Sequence, residues 1–267
     1  MLRLKVLGKW LGLGLASLGL SSYTSAELEA GIGMSAVHVP HYIGSDEAND
    51  FYLPFPYIRY RSEKLNIDRN LIQGNLWRSG NWSLEISLGG SVKVDSDDNQ
   101  ARQGMDDLDF IIEAGPALHY YFSGDRTSEN ALLLQLPLRV ALSTDFTNLG
   151  YQGLTSIPRI VWRRGYFING YEIRPQLSLG IRLGTEEYHD YIYGVENQFV
   201  TESRQAYDGK AGYGGLQFAY STAVLWDDYL VAGGLRYVAL DGADYEDSPL
   251  IRQSDSLLLG IAMAYLF

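Results

Sequence analysis

Eleven ionisable residues fall on the polar phase of segments whose other phase is apolar: Glu85, Lys93, Glu113, His119, Arg139, Arg159, Arg163, Glu172, Arg174, Arg182 and Arg236. If that phase lines a lumen, two chemistries are open to it. An excess of guanidinium groups in a pore favours anionic solutes. Alternatively, opposite charges in a narrow interior pair with one another and close it. Three carboxylates cannot match seven cations unless acids from the loops fold inward. The paired, plugged interior is the favoured expectation.

Catalysis and metal binding have weaker signals. The histidines are His38, His41, His119 and His189. His119, on the same face as Glu113, could be oriented as a base for a serine nucleophile. No G-x-S-x-G elbow or comparable nucleophile signature accompanies it, so an enzyme is not expected. Asp95, Asp97, Asp98, Asp106 and Asp107 crowd one connection, and Glu186, Glu187 and Asp190 another. Hard cations take several such oxygens, but the spacing matches no EF-hand. Solvated acidic loops are expected, with no metal and no cofactor.

The segments that carry these residues read as strands. In Tyr171–Gly184, Tyr171, Ile173, Pro175, Leu177, Leu179, Ile181 and Leu183 alternate with Glu172, Arg174, Gln176, Ser178, Gly180, Arg182 and Gly184. Trp82–Asp95, Asp109–Phe122, Leu132–Ser143, Leu216–Leu225 and Tyr229–Leu240 repeat the pattern, which is the period of a sheet with two unlike faces. A soluble sandwich would bury the apolar face, whereas a membrane barrel turns it to lipid. Aromatics gather at strand ends (Tyr120, Phe122, Trp162, Tyr171, Trp226, Tyr229, Tyr237, Tyr265), where interfacial girdles lie. The chain closes on Leu257, Leu259, Ile261, Met263, Tyr265 and Phe267 at alternate positions. Tyr265 and Phe267 are expected to form the signal that the barrel assembly machinery reads.

Residues 1–26 read as a cleaved secretory leader. Arg3, Lys5 and Lys9 precede an apolar run from Trp10 to Leu20, and Thr24 and Ala26 suit the −3 and −1 positions. That run is shorter than the roughly 20 residues a spanning helix needs. Its removal takes three basic residues and no acid, leaving 18 Lys+Arg against 32 Asp+Glu, a formal charge of −14. Nucleic acid, which requires a basic surface, is not an expected partner. With no cysteine, lipoprotein processing and disulfides are excluded. The expectation is therefore a leader over 1–26 and, over 27–267, an all-β transmembrane antiparallel up-and-down β-barrel in the outer membrane of a Gram-negative cell, in contact with lipid and lipopolysaccharide.

Eight strands follow Asn81 if Asp95–Leu108, Asp145–Tyr151, Gly184–Lys210 and Asp241–Ser254 are outer loops. The intervening turns are then Arg78–Asn81, Ser123–Glu129, Arg164–Gly170 and Trp226–Asp228. Glu27–His38 and Phe51–Arg61 add two. Leu65–Trp77 adds a hairpin turning near Arg69–Asn70 or merges with its neighbour, for twelve strands or ten. The proline-rich Leu53–Tyr57 is expected to bend its strand or meet a loop, since proline donates no ladder bond.

Four local patterns resemble the MipA/OmpV family. They are Tyr42-Ile43-Gly44-Ser45-Asp46 with Leu53-Pro54-Phe55-Pro56-Tyr57-Ile58; Gly104-Met105-Asp106-Asp107-Leu108-Asp109 before Glu113 and Gly115; Tyr191-Ile192-Tyr193-Gly194-Val195 with Ala206-Tyr207; and Asp247-Ser248-Pro249-Leu250. The resemblance runs from about residue 29 to 267. It implies a scaffold that joins the lytic transglycosylase MltA and a bifunctional penicillin-binding protein, coupling murein cleavage to synthesis. Other members of that family imply adhesion or solute uptake. No partner-binding residue carries over, because the matching patterns are structural.

Overall fold

Alternation makes the staves, and proline decides where they break. The computed structural model describes residues 27–61, 65–68 and 71–267; the leader expected over 1–26 and the turn expected near Arg69–Asn70 lie outside them. The strands are β1 (Glu27–Pro40), β2 (Ala48–Arg61), β3 (Leu65–Asp68), β4 (Leu71–Ser79), β5 (Trp82–Ser91), β6 (Phe110–Ser123), β7 (Ala131–Pro137) and β8 (Arg139–Thr144). There follow β9 (Leu149–Ser156), β10 (Arg159–Arg163), β11 (Tyr166–Ile168), β12 (Tyr171–Ile173), β13 (Gln176–Gly184), β14 (Gly212–Trp226), β15 (Tyr229–Ala239) and β16 (Asp255–Leu266). The one α-helix among the described residues, α1 (Glu186–Tyr193), sits in the longest connection.

Several segments are one stave interrupted. Pro137, Pro158 and Pro175 carry no N–H, so a ladder bond is lost beside each. The ladder resumes at once: Leu138 donates to the Pro116 carbonyl (2.9 Å), Ile181 to Pro158 (3.1 Å) and Arg164 to Pro175 (3.1 Å). Joining β7 to β8, β9 to β10 and β11, and β12 to β13 leaves twelve staves among the described residues. Each pairs antiparallel with the next, and β1 pairs with β16 from Gly31↔Leu266 to His38↔Leu259, so the ring closes. Closure removes the free edges that hydrocarbon cannot solvate.

The Leu53–Tyr57 expectation needs correction. β2 runs unbroken through it, paired with β1 at every position. Pro54 and Pro56 lie opposite Met34 and Ile32, where the missing N–H would have pointed away from β1. On that side β3 pairs with Tyr60 and Arg61 alone among the described residues. The prolines stand where no ladder bond is asked of them. The turn expected over Arg164–Gly170 is also shorter, because β11 and β12 continue the wall to Asn169 and Gly170. Both have positive φ (51° and 87°), as a two-residue Asn-Gly hairpin requires.

The apolar phase is outside. Ile32, Met34, Ile261 and Met263 are all more than half exposed, while Gly31, Gly33 and Ala264 between them are buried. Apolar residues outward and polar residues inward on a closed antiparallel ring is the construction of a transmembrane barrel. At the short-turn end the aromatics form a chain of ring contacts. Trp82, Tyr120 and Phe122 stand 4.7 and 5.1 Å apart, and Tyr171, Trp226, Tyr229 and Tyr265 lie within 5.5–6.1 Å of successive neighbours. This is a girdle at one interface. Tyr237 lies at the opposite end of β15.

The long connections collect at the other end and build a hydrophobic core of their own. Tyr42, Val94, Leu108, Ile192, Tyr193, Val195, Leu240, Tyr245 and Leu250 are buried together there. Inside the barrel at the short-turn end, Tyr57, Leu225, Leu230 and Ala264 form a second apolar cluster.

Candidate functional site: the lumen and its cap

Between those two apolar ends lies a cavity of about 670 Å³. Its wall is set by register. One row of cross-strand partners runs Ser83, His119, Gln135, Arg159, Gly180, Gln217, Val238, Ser256 across consecutive staves. Large polar side chains in the row alternate with small residues that give them room. A side chain at Gly180 would stand 2.6 Å from the Arg159 Cβ. A side chain at Gly89 would stand 2.7 Å from Glu113 and 2.8 Å from Arg139.

The eleven residues singled out from sequence separate into three groups. Five stand around the cavity. Arg139 donates from Nη1 to Glu113 (3.1 Å) and from Nε to Ser87 (2.8 Å). Arg159 donates to Gln135 (2.6 Å) and Arg182 to Gln217 (3.0 Å). Arg236 is exposed to the cavity and makes no hydrogen bond or ion pair with a described residue. Five more belong to the short-turn half, where His119 and Arg163 also reach the cavity wall. Glu85 accepts from Ser83 (2.9 Å) and lies 3.4 Å from His119 Nδ1. Arg163 donates to the carbonyls of Asp125 (2.6 Å) and Arg126 (3.1 Å), and Arg174 pairs with Glu172 and, at 3.9 Å, with Glu129. Lys93 is elsewhere: it lies past the end of β5, exposed, 2.9 Å from Asp107. The strand period does not extend that far, because Val94 already pairs with Leu108 in the cap.

His119 and Glu113 do not meet. Six residues along one strand separate them by about 20 Å, and the carboxylate beside His119 is Glu85, on the neighbouring stave. Glu129 of a short turn is the loop acid that reaches an inward arginine, Arg174; no acid of the outer connections lines the cavity among the described residues. What enters from above is Tyr188 of α1, whose hydroxyl donates to Glu113 (3.1 Å). Sequence alternation could mark Ser87, Gln135 and Gln217, but it carries no signal for a tyrosine on a loop helix.

Four acids of the outer connections hold backbone. Asp95 accepts from the Asp97 N–H (3.0 Å), Asp107 from that of Ser96 (3.0 Å), Glu47 from that of Gln100 (3.0 Å) and Asp190 from that of Gly209 (2.8 Å). The Ser96 N–H, together with Lys93, holds Asp107 below the usual carboxylate range.

The cap they shape is where the sequence patterns converge. Tyr42 donates to the Leu250 carbonyl (2.8 Å), Tyr193 to that of Ile43 (3.0 Å), and Ser248 to that of Tyr193 (2.7 Å). Tyr191 accepts from the Asp109 N–H (2.9 Å). Tyr193 stacks on Tyr245 with centroids 3.8 Å apart. Burial pushes the Tyr42 phenol up to about 12 and holds that of Tyr193 well above its ordinary value, so both remain hydrogen-bond donors at neutral pH. Gly44, at φ +95°, turns the chain beneath Ile251, where a side chain would come within 2.6 Å.

A family model described as MltA-interacting protein MipA matches residues 32–267. No curated protein matches the chain.

Proposed function

Because this chain belongs to the family of MltA-interacting protein MipA, we propose that it is an outer-membrane scaffold for murein remodelling. It would hold a lytic transglycosylase, MltA, and a bifunctional penicillin-binding protein at its periplasmic rim. The family's name carries the proposal, and the form of the barrel supports it. The long connections are packed into a cap with its own core, whereas the opposite rim consists of short turns. The β11–β12 hairpin extends that rim. Its Tyr166, Ile168 and Tyr171 fall on the lipid-side phase, but Phe167, opposite Glu172, falls on the inward phase and is 77% exposed. Lipid cannot cover a residue on that phase. An exposed aromatic on a rigid hairpin is the kind of anchor a partner's pocket takes.

Recovery of partners from detergent-solubilised envelopes, read by mass spectrometry, tests this. MltA is expected with the parent protein and lost with Phe167→Asp. Its absence from the parent complex would contradict the scaffold reading. A solute channel is the second reading, favoured by the guanidinium excess and opposed by the cap. Reproducible conductance steps in planar bilayers would support the channel, and silence the scaffold. Tyr265 and Phe267, exposed on the closing strand, serve in this reading as the contact for the barrel assembly machinery. The apolar belt meets outer-membrane lipid and lipopolysaccharide.

A further inference from the structure

The charge inside the lumen is not balanced by the protein. Arg139, Arg159, Arg163, Arg182 and Arg236 line the cavity, and Glu113 is the one carboxylate that does so among the described residues. Glu113 is committed to Arg139 and Tyr188, and Arg163 to two carbonyls. Three guanidinium groups remain. Of five donors apiece, Arg159 uses one on Gln135 and Arg182 two, on Gln217 and the Tyr245 hydroxyl, and Arg236 uses none.

Register brings the three together. Arg236 is opposite Ala219, which is opposite Ser178; Arg159 is opposite Gly180; Arg182 follows on the same stave. They therefore rise in steps of two residues, about 7 Å each, over four adjacent staves. Their neighbours on the wall are small or neutral: Ser178, Gly180, Ala219 and Gln217. Arg236 lies within electrostatic reach of Arg139, Arg159 and Arg182. Like charges this close inside a low-dielectric ring repel unless an anion joins them. Planar forks match the oxygens of phosphate and carboxylate in pairs, as ammonium groups do not. A cavity of about 670 Å³ is of the size that takes a small organic ligand.

We propose that this lumen is a binding chamber for a small oxyanion with at least two negative charges, a phosphate or a polycarboxylate, held by Arg159, Arg182 and Arg236. The chamber is independent of the scaffold role, and either can fail without the other.

Calorimetric titration of the full barrel in zwitterionic detergent, with inorganic phosphate and separately with citrate, tests it. Saturable one-to-one binding of at least one probe is expected, weakening as sodium chloride is raised. The probe that binds identifies the class. Arg159→Gln with Arg236→Gln is expected to weaken binding at least tenfold. Arg164→Gln, the same charge change on the outward phase near the rim, leaves it unchanged. Should the double variant fail to fold, shown by loss of its heat-dependent gel shift, Arg236→Gln alone serves, since that side chain makes no bond the fold needs. No saturable heat from either probe at millimolar concentration would overturn the proposal. So would undiminished binding in the arginine variants.

Discussion

At the scale of single residues, Glu113 is the hinge of the interior. It is the acid that neutralises Arg139, and it receives the hydroxyl that the cap sends down through Tyr188. Removing one partner of a buried pair leaves the other charge uncompensated. Glu113→Gln is expected to lower stability by about 3 kcal/mol, the low end for such a pair, read as a shifted midpoint of urea unfolding in detergent. Arg236→Gln is expected to do the opposite in phosphate-free buffer, raising the midpoint, because it relieves repulsion and breaks no hydrogen bond. Alternation of residue types was sufficient to place Glu113, Arg139, Arg159, Arg182 and Arg236 on one face. It could not say which would be neighbours, since partnership depends on register across staves. For that reason His119 finds Glu85 rather than Glu113. Lys93 shows the other limit: alternation put it on the inward phase, but the strand had already ended.

At the scale of elements, the cap is the part least legible from sequence. Its connections look like polar loops, rich in Asp, Glu and Gly, and α1, with Tyr188, His189, Ile192 and Tyr193 on its buried face, is only eight residues long. The apolar and aromatic residues that bury together are scattered from Tyr42 to Leu250 and acquire meaning only when the barrel brings its loops to one end. His189 lies in this cap, buried against Tyr245, with Nδ1 2.5 Å from the Lys210 carbonyl. Burial holds its imidazole below the ordinary value, about 6.5. A depressed folded-state value means that the unfolded cap binds the proton more readily. The stabilisation is complete above the ordinary value and is lost as pH falls from there through the folded one. Amide protection over residues 186–209, exchange corrected for its intrinsic pH dependence, is therefore expected to fall between pH 7.5 and 5. His189→Gln should flatten that dependence. Equal protection at both pH values in the parent would show that His189 does not couple the cap to pH.

At the scale of the whole molecule, one physical constraint organises the rest. A closed ring of staves with hydrocarbon outside must place an apolar side chain at every second position, and the opposite positions inherit the polar residues. The barrel, its closing strand and its interfacial aromatics follow from that period and were readable in the chain. The staves through Pro137, Pro158 and Pro175 were readable as continuous, and the local breaks at those prolines were not, because proline's lost donor interrupts a ladder without ending it. The cap makes a further expectation. The parent protein should be electrically silent in planar bilayers, and deletion of residues 186–209 should open an anion-selective path through the arginines. The constraint itself is open to a direct measurement, since the chain has no cysteine. Single cysteines placed in turn from Leu257 to Tyr265, spin-labelled in lipid bilayers, report whether each position meets lipid or water. Accessibility to oxygen should peak at Leu257, Leu259, Ile261, Met263 and Tyr265 and fall at the residues between them. A profile without that two-residue period, or one uniformly open to water-soluble reagents, would contradict the barrel in the membrane.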